Sequence, residues 1–252
     1  GWKSISVAGV ELTGDYTIGA STELTLEDST NLSLFKKGDV VSGMADSTQS
    51  AAFNTVLYEG TGEEHPITTG IDNTGKSLVW IKNRSNTKGV ASGHQLHDTE
   101  RGTEMPLFSD SSSDSFFVAN SLTSFNSDGF TVVSHSEVNG HEADNTYNYV
   151  AWNFRAAPGF FDIVAYDGDN SAQLIPHNLS SVPGMIICKK ISSTSTWGVY
   201  HKSLGATEFL KLQSSEEAAP YTDAWNNTEP TATDFTVGSN YSDSTGGGKW
   251  IA

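Results

Sequence analysis

The sequence predicts an all-β protein: two tandem β-sandwich or jelly-roll-like modules preceded by a small β domain. Three observations point there. Apolar residues come in short runs or alternate, and helical periodicity is nearly absent. The runs are bounded by Gly, Asn, Asp, Ser and Pro, the residues that separate strands by turns. The chain also repeats itself, once from Asn54 to Arg155 and again from Phe161 to Ala252, so a module of roughly 100 residues becomes the unit of interpretation.

Residues 1–45 differ from the repeats. Ile5 to Leu12 and Asp15 to Gly19 alternate, with Gly9 and Gly14 placed for hairpin turns. Leu24-Thr25-Leu26, Leu32-Ser33-Leu34 and the strand after Lys37-Gly38-Asp39 add further short strands. The segment is too small for a deep core and reads as a collar, joined through a linker from Ser42 to Phe53. The first module then occupies 46–157 and the second 158–252. Only Ala156-Ala157-Pro158-Gly159 stands between them, which restricts their mutual orientation.

Five blocks recur in the same order. Val56, Tyr58, Gly60 and Ile67 answer to Val164, Tyr166, Gly168 and Ile175. Leu78 to Lys82 pairs with Met185 to Lys189, and Leu96-His97-Asp98 with Val199-Tyr200-His201. Phe130 to Ser134 pairs with Phe235 to Ser239, and Tyr149-Val150-Ala151 with Trp250-Ile251-Ala252. Further strands are expected at Phe116-Phe117-Val118 and Ile163-Val164-Ala165-Tyr166. One or two helical turns are expected around Ser215 to Ala219, because Ser214-Ser215 precede Glu216-Glu217. The first copy continues through Trp152-Asn153-Phe154-Arg155 where the second stops, so the last strand is expected to be cut short and the chain to be a piece of something longer.

Composition removes some functions. With 14 Lys and Arg in 252 residues and a formal charge of −16, the surface suits neither nucleic acid nor an anionic membrane. No apolar run approaches the roughly 18 residues of a membrane-spanning helix, and no secretory signal is visible. The single Cys188 lies in an apolar run and reads as a small core residue.

Chemistry-bearing residues are sparse in pattern. His94 and His97 would share a helix face, but on a strand they point oppositely, which argues against a metal site. His135 and His141 flank Asn139-Gly140 and are expected in water, and His177 in a loop. Asp167-Gly168-Asp169-Asn170-Ser171 offers the oxygens a structural calcium would take, without the spacing of an EF-hand; a tight turn accounts for the same residues. No G-x-S-x-G elbow occurs, and no pair of carboxylates stands out, so no catalytic, metal or cofactor-binding residue is assigned. Trp197, Tyr200, Tyr221 and Trp225 lie in a polar stretch able to stack on sugar rings. These four are the candidate ligand-binding residues, set against the alternative that they are core aromatics.

Several strings carry a resemblance: Asn54 to Tyr58, Leu78 to Arg84, Ser121 to Val132, Tyr149 to Trp152, and in the second copy Phe161 to Val164, Val182 to Ile187, Tyr200 to Thr207, Trp225 to Thr228 and Thr233 to Gly238. They resemble the repeats of virion structural proteins of marine tailed phages, especially those infecting cyanobacteria. The resemblance implies a non-enzymatic virion component, a tail fibre or host-attachment protein whose loops meet a host glycan or receptor. Its partners would be other virion proteins, and a homotrimer would suit a fibre, although no coiled-coil heptads occur. The alternatives are a capsid-surface decoration protein and a polysaccharide-degrading tailspike. Function is expected where the copies differ, as at His94–His97 against Trp197–Tyr200.

Overall fold

The computed structural model describes residues 52–85, 93–142 and 145–252, together with three short strands near the amino terminus. The chain divides into two compact units, Gly1–Ala45 and Asp46–Ala252. In the first, β1 (Ile5–Val7) is flanked by β2 (Val10–Leu12) and β3 (Thr25–Leu26), all antiparallel. The strands expected at Asp15–Gly19, Leu32–Leu34 and after Lys37, and most of the linker from Ser42, lie outside the described residues.

Both copies lie in the second unit. The first copy comprises β4 (Phe53–Glu59), β5 (His65–Thr68), β6 (Ser77–Asn83), β7 (His94–Asp98), β8 (Leu107–Phe108), β9 (Leu122–Asn126), β10 (Gly129–Val132), β11 (His141–Glu142), β12 (Asn145–Thr146) and β13 (Asn148–Arg155). The second comprises β14 (Ala165–Asp167), β15 (Gln173–Pro176), β16 (Met185–Lys190), β17 (Gly198–His201), β18 (Glu208–Lys211), β19 (Ala219–Pro220), β20 (Asp234–Val237) and β21 (Lys249–Ile251). Each copy has a large antiparallel sheet, ordered β4-β13-β6-β7-β8 in one and β14-β21-β16-β17-β18-β19 in the other. A small sheet accompanies each, β5-β10-β9 and β15-β20. The result is the all-β, sandwich-like architecture that the apolar patterning predicts.

The ladders make the duplication physical. Tyr58 pairs with Tyr149 as Tyr166 pairs with Trp250. Ile67 stands opposite Phe130 as Ile175 stands opposite Phe235, and Val79 opposite His97 as Ile186 opposite Tyr200. Because side chains alternate across a strand, a slip of one residue would turn each core face outward, so shared register means shared core. The turn after the first strand is also duplicated. Gly60 donates its N–H to Tyr147 O and Gly168 to Gly248 O, each at 2.7 Å. Two residues on, Gly62 (φ 71°) and Asn170 (φ 67°) both adopt the left-handed conformation and donate to Asn139 O and Ser242 O. Between them, Thr61 N–H reaches the Asn139 side chain and Asp169 N–H the Ser242 hydroxyl.

Strand β6 shows why such segments become strands: Ser77, Val79, Ile81 and Asn83 are buried while the residues between are only partly so. Its inward face joins Ile67, Leu122, Phe130, Val132, Tyr149 and Ala151 in the first core. The second core gathers Ile175, Ile186, Cys188, Tyr200, Trp225, Phe235, Tyr241 and Trp250. A third cluster is shared: Leu78, Trp80, Leu96 and Leu107 of the first copy meet Phe161, Ile163, Ile187, Trp197 and Ile251 of the second. The copies are thus packed through the outward faces of their large sheets. The connector turns tightly, with Ala157 bridged to Phe161 and Gly159 at φ 73°.

Three local expectations are corrected. Ser215 to Ala218 form no helix: Glu216 N–H bonds back to the Ser214 hydroxyl, Lys211 pairs with Glu216 at 2.6 Å, and the exposed segment has no apolar face to pack. The helical turn lies beyond Pro220, at Thr222–Trp225, where Ala224 and Trp225 can be buried. Phe116-Phe117-Val118 is irregular, with both phenylalanines exposed, and β14 begins only at Ala165.

A Cβ at Gly60 would lie 2.0 Å from Gly140 O, and one at Gly168 2.4 Å from Ser242 O. Gly60→Ala and Gly168→Ala should each cost about 1–3 kcal/mol, because the obstructing atoms are backbone. Urea unfolding of the two variants checks this, and a neutral result for either would mean that the duplicated turn is not load-sharing in that copy.

Candidate functional site

Three of the four aromatics expected to face a ligand are interior. Trp197 precedes β17 on the outward face of its sheet, but the first copy covers it, leaving it 3 % exposed. Its indole Nε1–H donates to Phe108 O at 3.1 Å and Ser111 O at 2.9 Å, both from the first copy. Tyr200 is buried on the inward face, its hydroxyl donating to Glu229 Oε2 at 2.6 Å. Burial and that carboxylate push its phenol well above the ordinary tyrosine range, so it stays protonated; the second carboxylate oxygen takes Ala206 N–H. Trp225 stacks on Tyr241 and meets Tyr200 edge-on, with its Nε1–H unpartnered in the core. Their ring faces are occupied by packing, so they are not available to stack on sugars. Tyr221 alone keeps partial exposure; it packs on Phe209 and accepts a hydrogen bond from the Asn240 amide.

The histidines behave as strand geometry dictates. His94 and His97 sit in β7 on opposite faces. His94 Nδ1 accepts from the Trp80 indole at 2.9 Å, whereas His97 is fully buried and reaches Gln95 Oε1 at 2.9 Å. Gln95 donates to Glu137 at 2.5 Å, which leaves its carbonyl to accept from His97 Nε2–H and leaves Nδ1 without a partner. Desolvation first, then the positive charge of Arg101 and the neighbouring His135, hold His97 down to about 3. It is therefore a neutral core group. His135 caps the short helix Ser136–Asn139, and His177 is nearly buried and accepts from Leu179 N–H.

The acidic loop of the second copy is internally satisfied. Asp169 Oδ1 accepts from Ser171 N–H and Oγ–H and from Ser242 Oγ–H; hydrogen bonding from the Gln173 side chain first, then from Ser171 and Ser242, holds its carboxyl below the ordinary range. Asp167 pairs with Lys249 at 2.7 Å, and Asn170 and Ser244 exchange two hydrogen bonds. Among the described residues no group of three or more His, Cys, Asp or Glu side chains converges as a metal would require. Cys188 is fully buried and desolvation raises its thiol to about 12.

Apart from Trp197, the sequence pattern did not single out the residues that tie the copies together. Lys189, fully buried, donates from Nζ to Ser112 O at 3.1 Å and Lys190 O at 2.9 Å, and lies 6.0 Å from the Trp197 ring. Desolvation lowers it to about 8. Beside it, Lys190 pairs with Asp243 at 2.6 Å over the Trp250 ring. On the first copy, Trp80, His94 and Trp152 form a partly exposed aromatic group, the two indoles at 6.1 Å and edge-on. Trp80 and Trp152 are ladder partners on adjacent strands β6 and β13.

Fold and site together define an all-β protein of two fused sandwiches, whose polar and aromatic groups mostly serve packing between and within the copies. Residues 48–252 match the family described as a domain of unknown function, DUF7483, and the chain belongs to that family. No curated protein matches it, and no solved structure does.

Trp197→Phe keeps an aromatic ring but loses the indole N–H that serves two carbonyls of the first copy, and should cost about 1–3 kcal/mol; Trp197→Ala should cost about 3–5 kcal/mol. Chemical denaturation with the Phe variant as stable as the parent would refute the hydrogen-bonded anchor. For His97, the folded value of about 3 lies below the ordinary 6.5, so between them the unfolded chain binds a proton that the folded chain refuses. Its contribution to stability is full above pH 6.5 and is lost as pH falls towards 3. The stability–pH curve of His97→Gln should be flatter than the parent's across that window, and parallel curves would contradict the assignment.

Proposed function

We propose that this chain is a non-enzymatic structural component of a tailed-phage virion, of the tail-fibre or host-attachment kind, working in the assembled extracellular particle. Two things support the reading. The repeated strings resemble those of phage virion structural proteins, and the resemblance extends through both copies. The observation that carries the mechanical side is the seam: apolar residues of both large sheets interlock, while Trp197, Lys189 and Ser195 donate to carbonyls of Phe108, Ser111 and Ser112 across it. A pair of sandwiches joined in this way presents its outer loops in a set relation to one another, as a stiff element between particle and host needs. Loops can then vary without disturbing the cores.

In this reading the partners are neighbouring virion proteins and a host surface glycan or receptor. Of the four aromatics first considered for that contact, Tyr221 alone retains a surface to offer. Antibodies against the 252-residue chain, applied to purified particles and viewed by electron microscopy, should label the tail. Label on the head would move the protein to the capsid surface, and particles without label would end the virion reading.

A further inference from the structure

Among the described residues the same sheet edge occurs twice, and the two copies cover it to different extents. Strands β4 and β14 are equivalent edge strands, each bonded on one side only among the described residues. Ladder geometry directs the N–H and C=O groups of alternate residues inward and those of the others outward. Ala52, Asn54, Val56 and Tyr58 face β13, so Phe53, Thr55, Leu57 and Glu59 face away from the sheet.

In the second copy the outward positions are largely covered, Ala165 alone having neither backbone group partnered among the described residues. Phe161 exchanges both backbone bonds with Ala157 of the connector, Ile163 O accepts from Lys76 Nζ at 2.8 Å, and Asp167 O accepts from the Gln173 amide. Asp167 also places a charged pair with Lys249 at the end of the strand. These are the devices that keep sheet edges from pairing with other chains.

The first copy has one such device. Thr55 N–H is taken by the Asn54 side chain, as Ile163 N–H is by Asp162. The outward groups of Phe53 and Leu57 and the carbonyl of Thr55 have no partner among the described residues. Strand β4 is seven residues long, contains no Lys, Arg or Pro, and exposes Leu57 at 64 % and Phe53 at 36 %. Long edges of this kind, with exposed apolar residues and no basic residue or proline, pair with another strand.

We propose that β4 pairs antiparallel with β4 of a second copy of this chain, about a two-fold axis at Thr55, joining two large sheets into one. The sequence of the strand is self-complementary in this register. Thr55 meets its own counterpart, and Phe53 meets Leu57 of the second copy in both directions, on the outward-facing side of the sheet. Apolar and β-branched cross-strand pairs of this type stabilise sheets. The one acidic residue of the strand, Glu59, is carried to opposite ends of the ribbon, so two chains of net charge −16 do not bring like charges together on the axis. In this register the side chain of Asn54 must release Thr55 N–H, an exchange of one hydrogen bond for another. A two-fold contact uses both edges up and closes, so the product is a dimer and not a fibre.

The test uses the full 252-residue chain. Sedimentation velocity over a micromolar concentration series should show a monomer–dimer equilibrium. Leu57→Lys, which sets two ammonium groups beside the axis on an exposed position, should weaken dimerisation at least about tenfold, a loss of about 1.4 kcal/mol, with an unchanged circular dichroism spectrum. Thr55→Cys places thiols on the axis with Cα atoms about 5.5 Å apart, within disulfide reach. It should cross-link under mild oxidation far faster than Lys202→Cys, an exposed control; the native Cys188 is buried. A parent chain that stays monomeric throughout the series, a dimer indifferent to Leu57→Lys, or equal cross-linking of the two cysteine variants would each overturn the proposal.

Discussion

The structure depends most on the apolar seam between the two large sheets. A β-sandwich ordinarily buries the inner faces of its sheets and leaves the outer faces to water. Here the outer faces carry Leu78, Trp80, Leu96 and Leu107 on one side and Ile163, Ile187, Trp197 and Ile251 on the other. Neither set would be stable in water at that size, and each is the other's cover. Once they meet, the carbonyls of the Phe108–Ser112 loop need donors, and Trp197 and Lys189 supply them from the opposite copy. The seam also accounts for a buried ammonium group, an expensive feature unless held in place by well-oriented acceptors.

The repeat was readable in the sequence because cores constrain residues at fixed ladder positions. Tyr58 and Tyr166, or Ile67 and Ile175, occupy the same register and were matched from order alone. The site was not readable, and Trp197 shows why. An aromatic in a polar stretch has the same local signature whether it faces a ligand or a second copy of the fold, since what covers it lies some ninety positions away in the chain. Tyr200 fails for a related reason: alternation reveals that a strand has two faces but not which of them is inward when both are apolar. The short helix at Thr222–Trp225 escaped because one turn has too few residues for a period. Local hydrogen bonding around Ser214 mimicked a helix start without an apolar stripe to sustain it.

Differences between the copies are concentrated outside the shared ladders. At the position of Tyr200 the first copy has His97, and the exchange replaces a hydroxyl bonded to Glu229 by an imidazole bonded to Gln95. Asn139 and Ser242 hold the same turn with different atoms, the amide gathering Thr61 and Glu63 where the hydroxyl gathers Asp169. One backbone frame therefore accepts several polar solutions, provided each donor finds an acceptor.

The lone thiol bears on how the fold responds to its redox surroundings. Cys188 sits in the middle of β16, sealed from water, with its proton held far more tightly than that of an ordinary cysteine. Oxidation and disulfide exchange both proceed through an accessible thiolate, and this residue offers neither access nor thiolate. Glutathione and dissolved oxygen should therefore both leave this residue untouched while the unit is folded.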